Sequence, residues 1–187
     1  KWEFVKIIME NVQAVDTTLL FHDQKIWLFT NIAKHGATTW EELYIYYSDD
    51  LLGDWTPHAL NPVVSDVRSA RPAGNFFKNE KDEIFRPSQD CSRTYGYATN
   101  INKLIKLNEF EFEEKIVYMI TPKKLGPYFG THTFNKLNGI EYYDAKKWIY
   151  NNNVNLIKFF RNTIGIYHHK PIRLFIKHLL KILIKGK

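Results

Sequence analysis

The sequence contains very little cysteine and no long apolar run. Cys91 is the only cysteine in 187 residues, which excludes an internal disulfide framework and any cysteine spacing typical of a metal site. A lone cysteine without a neighbouring base motif is more often a buried thiol than a nucleophile. No run of about 18 apolar residues occurs, so no segment is predicted to cross a membrane as a helix. The simplest prediction is a protein of a reducing compartment.

Acidic residues are missing from residues 151–187, which hold eight of the 26 lysines and arginines. The first 150 residues therefore hold 18 basic and 20 acidic side chains and are nearly neutral. A nucleic-acid-binding body is disfavoured, because phosphate neutralisation requires a basic surface on the folded domain. We predict two parts, a globular body over residues 1–150 and a basic tail over residues 151–187.

The sequence of the tail predicts a basic amphipathic helix that begins at Pro171, because proline is favourable in the first turn of a helix. Its apolar residues recur at helical spacing, and its basic residues recur every four positions on another face. The two sets are Ile172, Phe175, Ile176, Leu179, Leu180 and Leu183, and Arg173, Lys177, Lys181 and Lys185. Such a helix suits an anionic membrane surface, which predicts a cytoplasmic protein held at the inner face of the membrane. The alternative is a helix that packs on the body or on a partner.

Aromatic residues make up 16% of the chain, which favours a β-rich body. Three segments share one plan of polar motif, apolar strand, turn and second strand. They begin near Thr17, Ala73 and Thr131, at spacings of 56 and 58 residues. This is the length of a β-propeller blade, and Asn138-Gly139 is a strong hairpin signal within the third segment. Residues 1–150 therefore predict about three propeller blades, with a β-sandwich as the alternative.

A polar segment follows the second predicted hairpin and runs from Phe85 to Gly96. It is predicted to be turn-rich, and its chemistry-bearing residues are Arg86, Gln89, Asp90, Arg93 and Tyr95. Guanidinium, carboxylate and amide groups at this density suit a polar ligand such as a sugar or a phosphate. A buried Arg–Asp network that joins one strand end to its neighbour fits the same residue types. Both interpretations remain open at this point.

The propeller hypothesis gives three separated motifs a common location. Asp16, Arg71 and His132 stand near the start of the innermost strand in their repeats. Because innermost strands line the central channel of a propeller, these side chains are expected to converge on one pocket. Arg71 and Arg86 both precede a proline, which holds the backbone extended at the arginine.

A series of motifs in consistent order over about residues 4–145 resembles one family. The motifs are Ala14-Val15-Asp16-Thr17-Thr18, Lys25-Ile26-Trp27-Leu28-Phe29, Gly53-Asp54-Trp55-Thr56-Pro57-His58, Asn61-Pro62-Val63, Arg71-Pro72-Ala73-Gly74, Arg86-Pro87-Ser88-Gln89-Asp90-Cys91 and Thr131-His132-Thr133. This series resembles the N-terminal domain of plant glucosamine inositolphosphorylceramide transferase and its bacterial relatives, which is similar to the five-bladed propellers of glycoside hydrolase family 43.

The resemblance implies an all-β, partial five-bladed propeller that handles glycans. Blades that would precede Lys1 have no counterpart in this sequence, and nothing in it resembles the separate glycosyltransferase domain of the plant proteins. The leading hypothesis is a carbohydrate-binding or carbohydrate-processing domain in glycan or glycolipid biosynthesis, with a glycan or glycolipid as partner. One alternative is a glycoside hydrolase whose catalytic residues lie partly in preceding sequence. Another is a non-catalytic interaction domain or gene remnant, whose ring a partner chain completes.

The polar segment, the repeat and the resemblance together give the candidate site residues. Family 43 hydrolases use two aspartates and a glutamate, and the candidates for catalytic carboxylates here are Asp16 and Asp90. The run Glu109, Glu111, Glu113 and Glu114 is interpreted as solvated. In those hydrolases a histidine often lies near a central ion, but one histidine is not a metal site, so we predict no metal and no cofactor. The predicted substrate-binding residues are Arg71, Arg86, Gln89, Arg93, Tyr95 and His132.

Overall fold

The computed structural model describes residues 1–34, 36–149 and 160–164. Almost all regular structure in this part of the chain is β, apart from the short helix α1 (Pro122–Leu125). The strands are β1 (Ala14–His22), β2 (Lys25–Ile32), β3 (Glu42–Ser48), β4 (Thr56–Pro57), β5 (Val64–Ser65), β6 (Phe77–Lys78), β7 (Ile84–Asp90), β8 (Ala98–Leu107), β9 (Phe112–Ile120), β10 (Phe134–Leu137), β11 (Ile140–Tyr143), β12 (Ala145–Ile149) and β13 (Phe160–Ile164).

The first sheet is an antiparallel meander in the order β1-β2-β3-β4, with β5 also paired to β3. A two-residue turn joins β1 to β2, and both of its residues, Asp23 and Gln24, have positive φ (48° and 60°). Such turns match the twist of the strands that they connect. Because β2 lies between β1 and β3, it is buried along almost its entire length. The first predicted hairpin is confirmed.

The second sheet has the order β6-β7-β8-β9, and its central strand corrects the sequence prediction. Ile84–Asp90 is a strand, although the segment from Phe85 to Gly96 was expected to be turn-rich. Pro87 is accommodated because it lies opposite Ile101 and its carbonyl accepts a hydrogen bond from the Ala73 amide at 3.1 Å. The next strand begins at Ala98, so Tyr95 belongs to the turn between β7 and β8, as expected of this part of the segment.

A third group of strands follows. In the hairpin β10–β11, Asn138 and Gly139 have φ values of 51° and 75°, which confirms the predicted turn. Strand β12 pairs with β13, so strand pairing extends beyond residue 150 into the range predicted as tail. The predicted helix over residues 171–187 lies outside the described residues and stays a prediction. Among the described residues, no helix has the length and apolar character needed to span a membrane.

The sheets pack against one another in chain order. One apolar cluster joins the first sheet to the second and includes Trp27, Phe29 and Leu107, with the Phe29 and Phe76 rings edge to face at 4.7 Å. A second cluster joins the second sheet to β10 through Ile101, Ile120 and Phe134. Successive meanders with buried faces between them are the arrangement of propeller blades. The described part of the chain is therefore essentially all-β and forms a partial propeller.

Candidate functional site

Four separated parts of the sequence meet at a polar cavity of about 290 Å³. Its wall includes the start of β1, the segment before β6, the end of β7 with the following turn, and the segment before β10. The lining side chains that matter here are Asp16, Thr17, Gln89, Tyr95, His132 and Thr133. The expected convergence of Asp16 and His132 is thus observed.

Asp16 reaches the cavity because β1 is irregular at this point. The register with β2 shifts between Val15 and Thr18, and Asp16 has a φ of 51°. Aspartate is among the few residues that adopt this left-handed conformation readily. The carboxylate atom Oδ2 accepts hydrogen bonds from Arg71 Nε at 2.6 Å and from Gln89 Nε2 at 3.1 Å. Two partners from different segments therefore fix one carboxylate oxygen beside the cavity.

Arg71 is nearly buried and holds three structural elements together. Besides Asp16, its guanidinium binds Thr39, with Nη1 donating to the carbonyl at 3.1 Å and lying 3.3 Å from the hydroxyl. The same group lies over the Tyr95 ring, with 4.9 Å between Cζ and the ring centroid. A cation over an aromatic face is favourable, especially where water is excluded.

Tyr95 forms one wall of the cavity, and two cations from different segments, Arg71 and Lys146, lie close to its ring. The Lys146 ammonium lies 4.6 Å from the ring centroid and donates to the Tyr95 carbonyl at 2.6 Å. The His132 ring meets it edge on, at 5.5 Å between centroids. Burial raises the pKa of Tyr95, although the Arg71 charge opposes the rise, so the phenol is neutral at ordinary pH.

His132 forms a dyad with Asp144, a residue that sequence reasoning missed. His132 Nδ1 lies 2.5 Å from Asp144 Oδ2, and Oδ1 of this carboxylate accepts the backbone amides of His132 and Thr133 at 2.8 Å. Burial alone would raise the pKa of Asp144, but these hydrogen bonds from His132 and Thr133 outweigh it and lower the pKa. The only signal in the sequence was one acid directly after the strand Ile140–Tyr143.

Gln89 completes the wall and connects it to Cys91. The side-chain nitrogen of Gln89 also donates to the Pro72 carbonyl at 3.1 Å. The Cys91 thiol donates to the side-chain oxygen of Gln89 at 3.7 Å. Burial raises the pKa of the Cys91 thiol. The thiol is therefore a poor nucleophile, in agreement with a buried structural cysteine.

Arg86 lies elsewhere. Its side chain is 1% exposed and binds Glu114 through two contacts, Nε to Oε2 at 2.8 Å and Nη2 to Oε1 at 2.5 Å. Nη2 also donates to the Ser69 carbonyl at 2.7 Å. The interpretation of Glu114 as a solvated residue is wrong, because its side chain is only 8% exposed. Arg86 is not among the lining side chains, and its partners are those of a structural ion pair.

Asp90 and Arg93 do not form the expected network with Arg86. The Asp90 carboxylate is buried, and its Oδ1 accepts from the Ser92 amide at 2.9 Å and hydroxyl at 2.6 Å. The exposed Arg93 lies over the Tyr97 ring at 4.7 Å. Of the residues predicted from the Phe85–Gly96 segment, the structure brings Gln89 and Tyr95 to the cavity. The functional roles assigned to Arg86, Asp90 and Arg93 stay predictions.

The described residues also bear on metal binding. Within residues 1–34 and 36–149, no group of three or more His, Cys, Asp or Glu side chains is arranged to hold a metal ion. At His132, Nδ1 is already taken by Asp144, and Thr133 Oγ1 lies 3.2 Å from the same nitrogen. These polar contacts of the His132 ring are therefore made at Nδ1, and the residue lines the cavity.

Packed antiparallel meanders around a shared polar cavity define a propeller-type domain with a candidate small-ligand site. Comparison with protein families agrees with this class and makes it specific. The family model described as "Glucosamine inositolphosphorylceramide transferase 1, N-terminal" matches residues 1–157. The chain belongs to this family.

Individual relatives carry the same name. Glucosamine inositolphosphorylceramide transferase 1 of Oryza sativa subsp. japonica is 33% identical over 146 residues, which cover 76% of this chain and 18% of the relative. The protein of that name from Arabidopsis thaliana is 28% identical over 177 residues, covering 91% and 22%. The chain thus spans about a fifth of the length of the curated relatives that it matches. The name of the family contains a sugar, glucosamine, and so relates the family to carbohydrate.

Among solved structures, an α-L-arabinofuranosidase from Clostridium thermocellum is similar to this chain with a TM-score of 0.47 and 12% identity. The match covers 81% of this chain and 49% of that protein.

Proposed function

We propose that this chain binds carbohydrate in the cavity, as part of a domain that serves glycan or glycolipid biosynthesis. The observation that carries the proposal is the convergence of Asp16, Gln89, Tyr95 and His132 from separate segments on one polar cavity. Pockets formed by residues distant in sequence, with a few fixed polar groups, are typical of small-molecule sites. The relatives, named for glucosamine and inositolphosphorylceramide, support a sugar or glycolipid head group as the ligand.

The groups available to a ligand suit hydroxyls. Asp16 Oδ1 accepts hydrogen bonds, and no bond to it is found among the described residues. His132 Nε2 donates or accepts according to its tautomer. Cations from Arg71 and Lys146 already lie against the Tyr95 ring, so Tyr95 contributes as a rigid wall and not as a stacking platform. A sugar would therefore be held by its hydroxyl groups.

Titration calorimetry with a panel of neutral mono- and oligosaccharides tests the proposal. Gln89→Ala and His132→Ala should each weaken binding by about tenfold, since each removes about one hydrogen bond to the ligand or to its neighbours. Gln13→Ala and His22→Ala are matched controls away from the cavity, and His22 also faces an acid, Asp23, at 3.3 Å. Binding that both cavity variants retain in full would contradict the assignment of the site.

The hydrolase hypothesis remains an alternative. Glycoside hydrolysis requires two carboxyl groups placed on either side of the scissile bond. Asp16 lines the cavity, whereas the Asp90 carboxylate is buried and bound to Ser92. Binding is the better supported function for this reason. Release of reducing sugar from a panel of glycans, abolished by Asp16→Asn, would favour the hydrolase instead.

We also propose that residues 171–187 hold the protein at an anionic membrane surface on the cytoplasmic side. Each lysine or arginine near such a surface contributes about 1 kcal/mol. Co-sedimentation with vesicles that contain phosphatidylserine should fall when residues 171–187 are deleted, while vesicles of neutral lipid should bind neither protein. Equal co-sedimentation of both proteins with the anionic vesicles would contradict this proposal.

A further inference from the structure

The charged side chains around the cavity already have partners within the protein. Asp16 pairs with Arg71 at 2.6 Å, and Asp144 faces His132 at 2.5 Å. The remaining cation, Lys146, donates to the Tyr95 carbonyl. Among the residues that the structure describes, the cavity thus has polar walls and no cation reserved for a ligand.

We propose that Asp16 is a specificity-determining residue that masks Arg71, so that the cavity admits uncharged, hydroxyl-bearing ligands and excludes phosphate and other anions. In a glycolipid head group, the cavity would then take the sugar and not the phosphate. The choice of sugar as ligand rests on the proposed function above. The exclusion of anions rests on the Asp16–Arg71 pair alone.

The geometry of Arg71 supports the exclusion of anions. Arginine binds phosphate best through two parallel N–H groups of its planar fork. Here Nε is engaged by Asp16 and Nη1 by Thr39, so each edge of the guanidinium has at least one nitrogen already bonded. A phosphate would have to displace one of these partners before it gained a bidentate contact.

The geometry of Asp16 supports the selection of hydroxyls. Its side chain is 40% exposed, and its two hydrogen bonds from Arg71 and Gln89 both go to Oδ2. An ionised carboxylate only accepts hydrogen bonds, so Oδ1 can receive a sugar hydroxyl but repels a phosphate oxygen. Asp16 therefore attracts hydroxyl-bearing ligands, and by pairing with Arg71 it occupies the group that would bind phosphate.

The backbone at Asp16 allows a clean test. Its φ of 51° is tolerated by aspartate, asparagine and glycine, so Asp16→Asn and Asp16→Gly remove the charge without new backbone strain. Asp82 is a matched control: it has a φ of 59° and pairs with Lys78 at 3.3 Å, outside the residues lining the cavity. Asp82→Asn therefore makes the same chemical change at a similar backbone position.

The experiment titrates inorganic phosphate and a neutral sugar panel into each protein by calorimetry, with circular dichroism to confirm folding. Wild type and Asp82→Asn should show no saturable phosphate binding. Asp16→Asn and Asp16→Gly should bind phosphate at least about tenfold more tightly than wild type, because the Arg71 fork becomes available. Adding Arg71→Gln to either variant should abolish this gain.

The outcomes separate this inference from the proposed function. Saturable phosphate binding by the wild type, or no gain in either folded Asp16 variant, overturns the inference. If wild type binds neither sugar nor phosphate while Asp16→Asn gains phosphate, the exclusion of anions holds and the proposed function fails. If neither Asp16 variant folds, competition decides: phosphate that displaces a sugar from wild type overturns the inference, and sugar binding unchanged by phosphate supports it.

Discussion

Arg71 and Arg86 both precede a proline and both bind a carboxylate, but they lie in different surroundings. The Arg71 partner, Asp16, is 40% exposed and faces the cavity. The Arg86 partner, Glu114, is 8% exposed and comes from the edge strand of the second sheet. The following proline holds each arginine extended, but the location of the acid decides whether the pair shapes a site or supports the fold.

The difference shows what each pair contributes. A buried ion pair contributes little net stability when intact, but removing one partner leaves an uncompensated buried charge. A pair that is partly open to water contributes less either way, because solvent screens it. Arg86 and Glu114 should therefore matter for stability, and Arg71 and Asp16 for ligand selection.

The largest expected effect is on stability, at the buried pair. Glu114→Ala should lower the free energy of unfolding by about 3–5 kcal/mol, because the Arg86 guanidinium stays buried without its carboxylate. Urea denaturation measures this loss. Glu113→Ala is the control, since this neighbouring acid is exposed and should change stability by less than about 0.5 kcal/mol. Equal effects of the two substitutions would remove the distinction between the arginines.

The next largest effect on stability is expected at Gly74, which lines the cavity. Its φ is 148°, and an added Cβ would lie 1.9 Å from the Phe134 carbonyl oxygen. Gly74→Ala should therefore cost about 2–4 kcal/mol in the free energy of unfolding, through strain and displacement of β10. Gly139→Ala separates the two causes: its φ is 75°, but no atom lies within 4 Å of the added Cβ. A loss at Gly74 no larger than that at Gly139 would show that the contact with β10 is unimportant.

A smaller effect is expected in the coupling energy of the Asp16–Arg71 pair, which is only partly open to water. A double-mutant cycle on Asp16 and Arg71, each changed to alanine, should give about 1 kcal/mol or less. The corresponding cycle on Arg86 and Glu114 should give a clearly larger value, because both side chains are buried. Both cycles use unfolding in urea. Similar coupling energies in the two cycles would contradict the comparison.

The smallest expected effect is on the stability of the fold at acid pH. Because the pKa of Asp144 is lowered from its ordinary value of 3.8, its ionised form stabilises the fold above that value. This stabilisation should disappear as the pH falls through 3.8 towards the lower pKa of the folded state. Asp144→Asn should flatten the dependence of the urea midpoint on pH in this range. An unchanged slope would show that the contacts with His132 do not hold the carboxylate ionised.

Local signals predicted much of this fold correctly. Asn138-Gly139 predicted its hairpin because both residues tolerate positive φ, and the repeat spacing predicted that Asp16 and His132 meet. The strand over residues 86–90 was missed because proline and aspartate are depleted in strands, so this part of the chain was predicted to be turn-rich. Pairing with β8 on one side and the Ala73 contact on the other supply the hydrogen bonds that make it a strand.

The missing parts of the site depend on contacts between distant residues. Glu114 looks like any acid in a charged run, and only the packing of β9 beside β7 and β8 shows that it is buried against Arg86. Asp144 forms its dyad because β11 ends beside the segment that contains His132. Composition and spacing do not record such pairings. Arg86 and His132 were therefore found from local signals, and the acids that pair with them were not.

Lys146 connects the cavity to a distant part of the chain. Its ammonium rests against Tyr95, while its backbone lies in β12 and pairs with Thr163 of β13. Gly96 and Gly130 leave little spare space around this side chain, since a Cβ at Gly96 would lie 2.5 Å from the Lys146 ammonium. A displacement of β12 along its axis would therefore push a charged group against the aromatic wall of the cavity. Through Lys146, the pairing of β12 with β13 is therefore joined directly to the Tyr95 wall of the cavity.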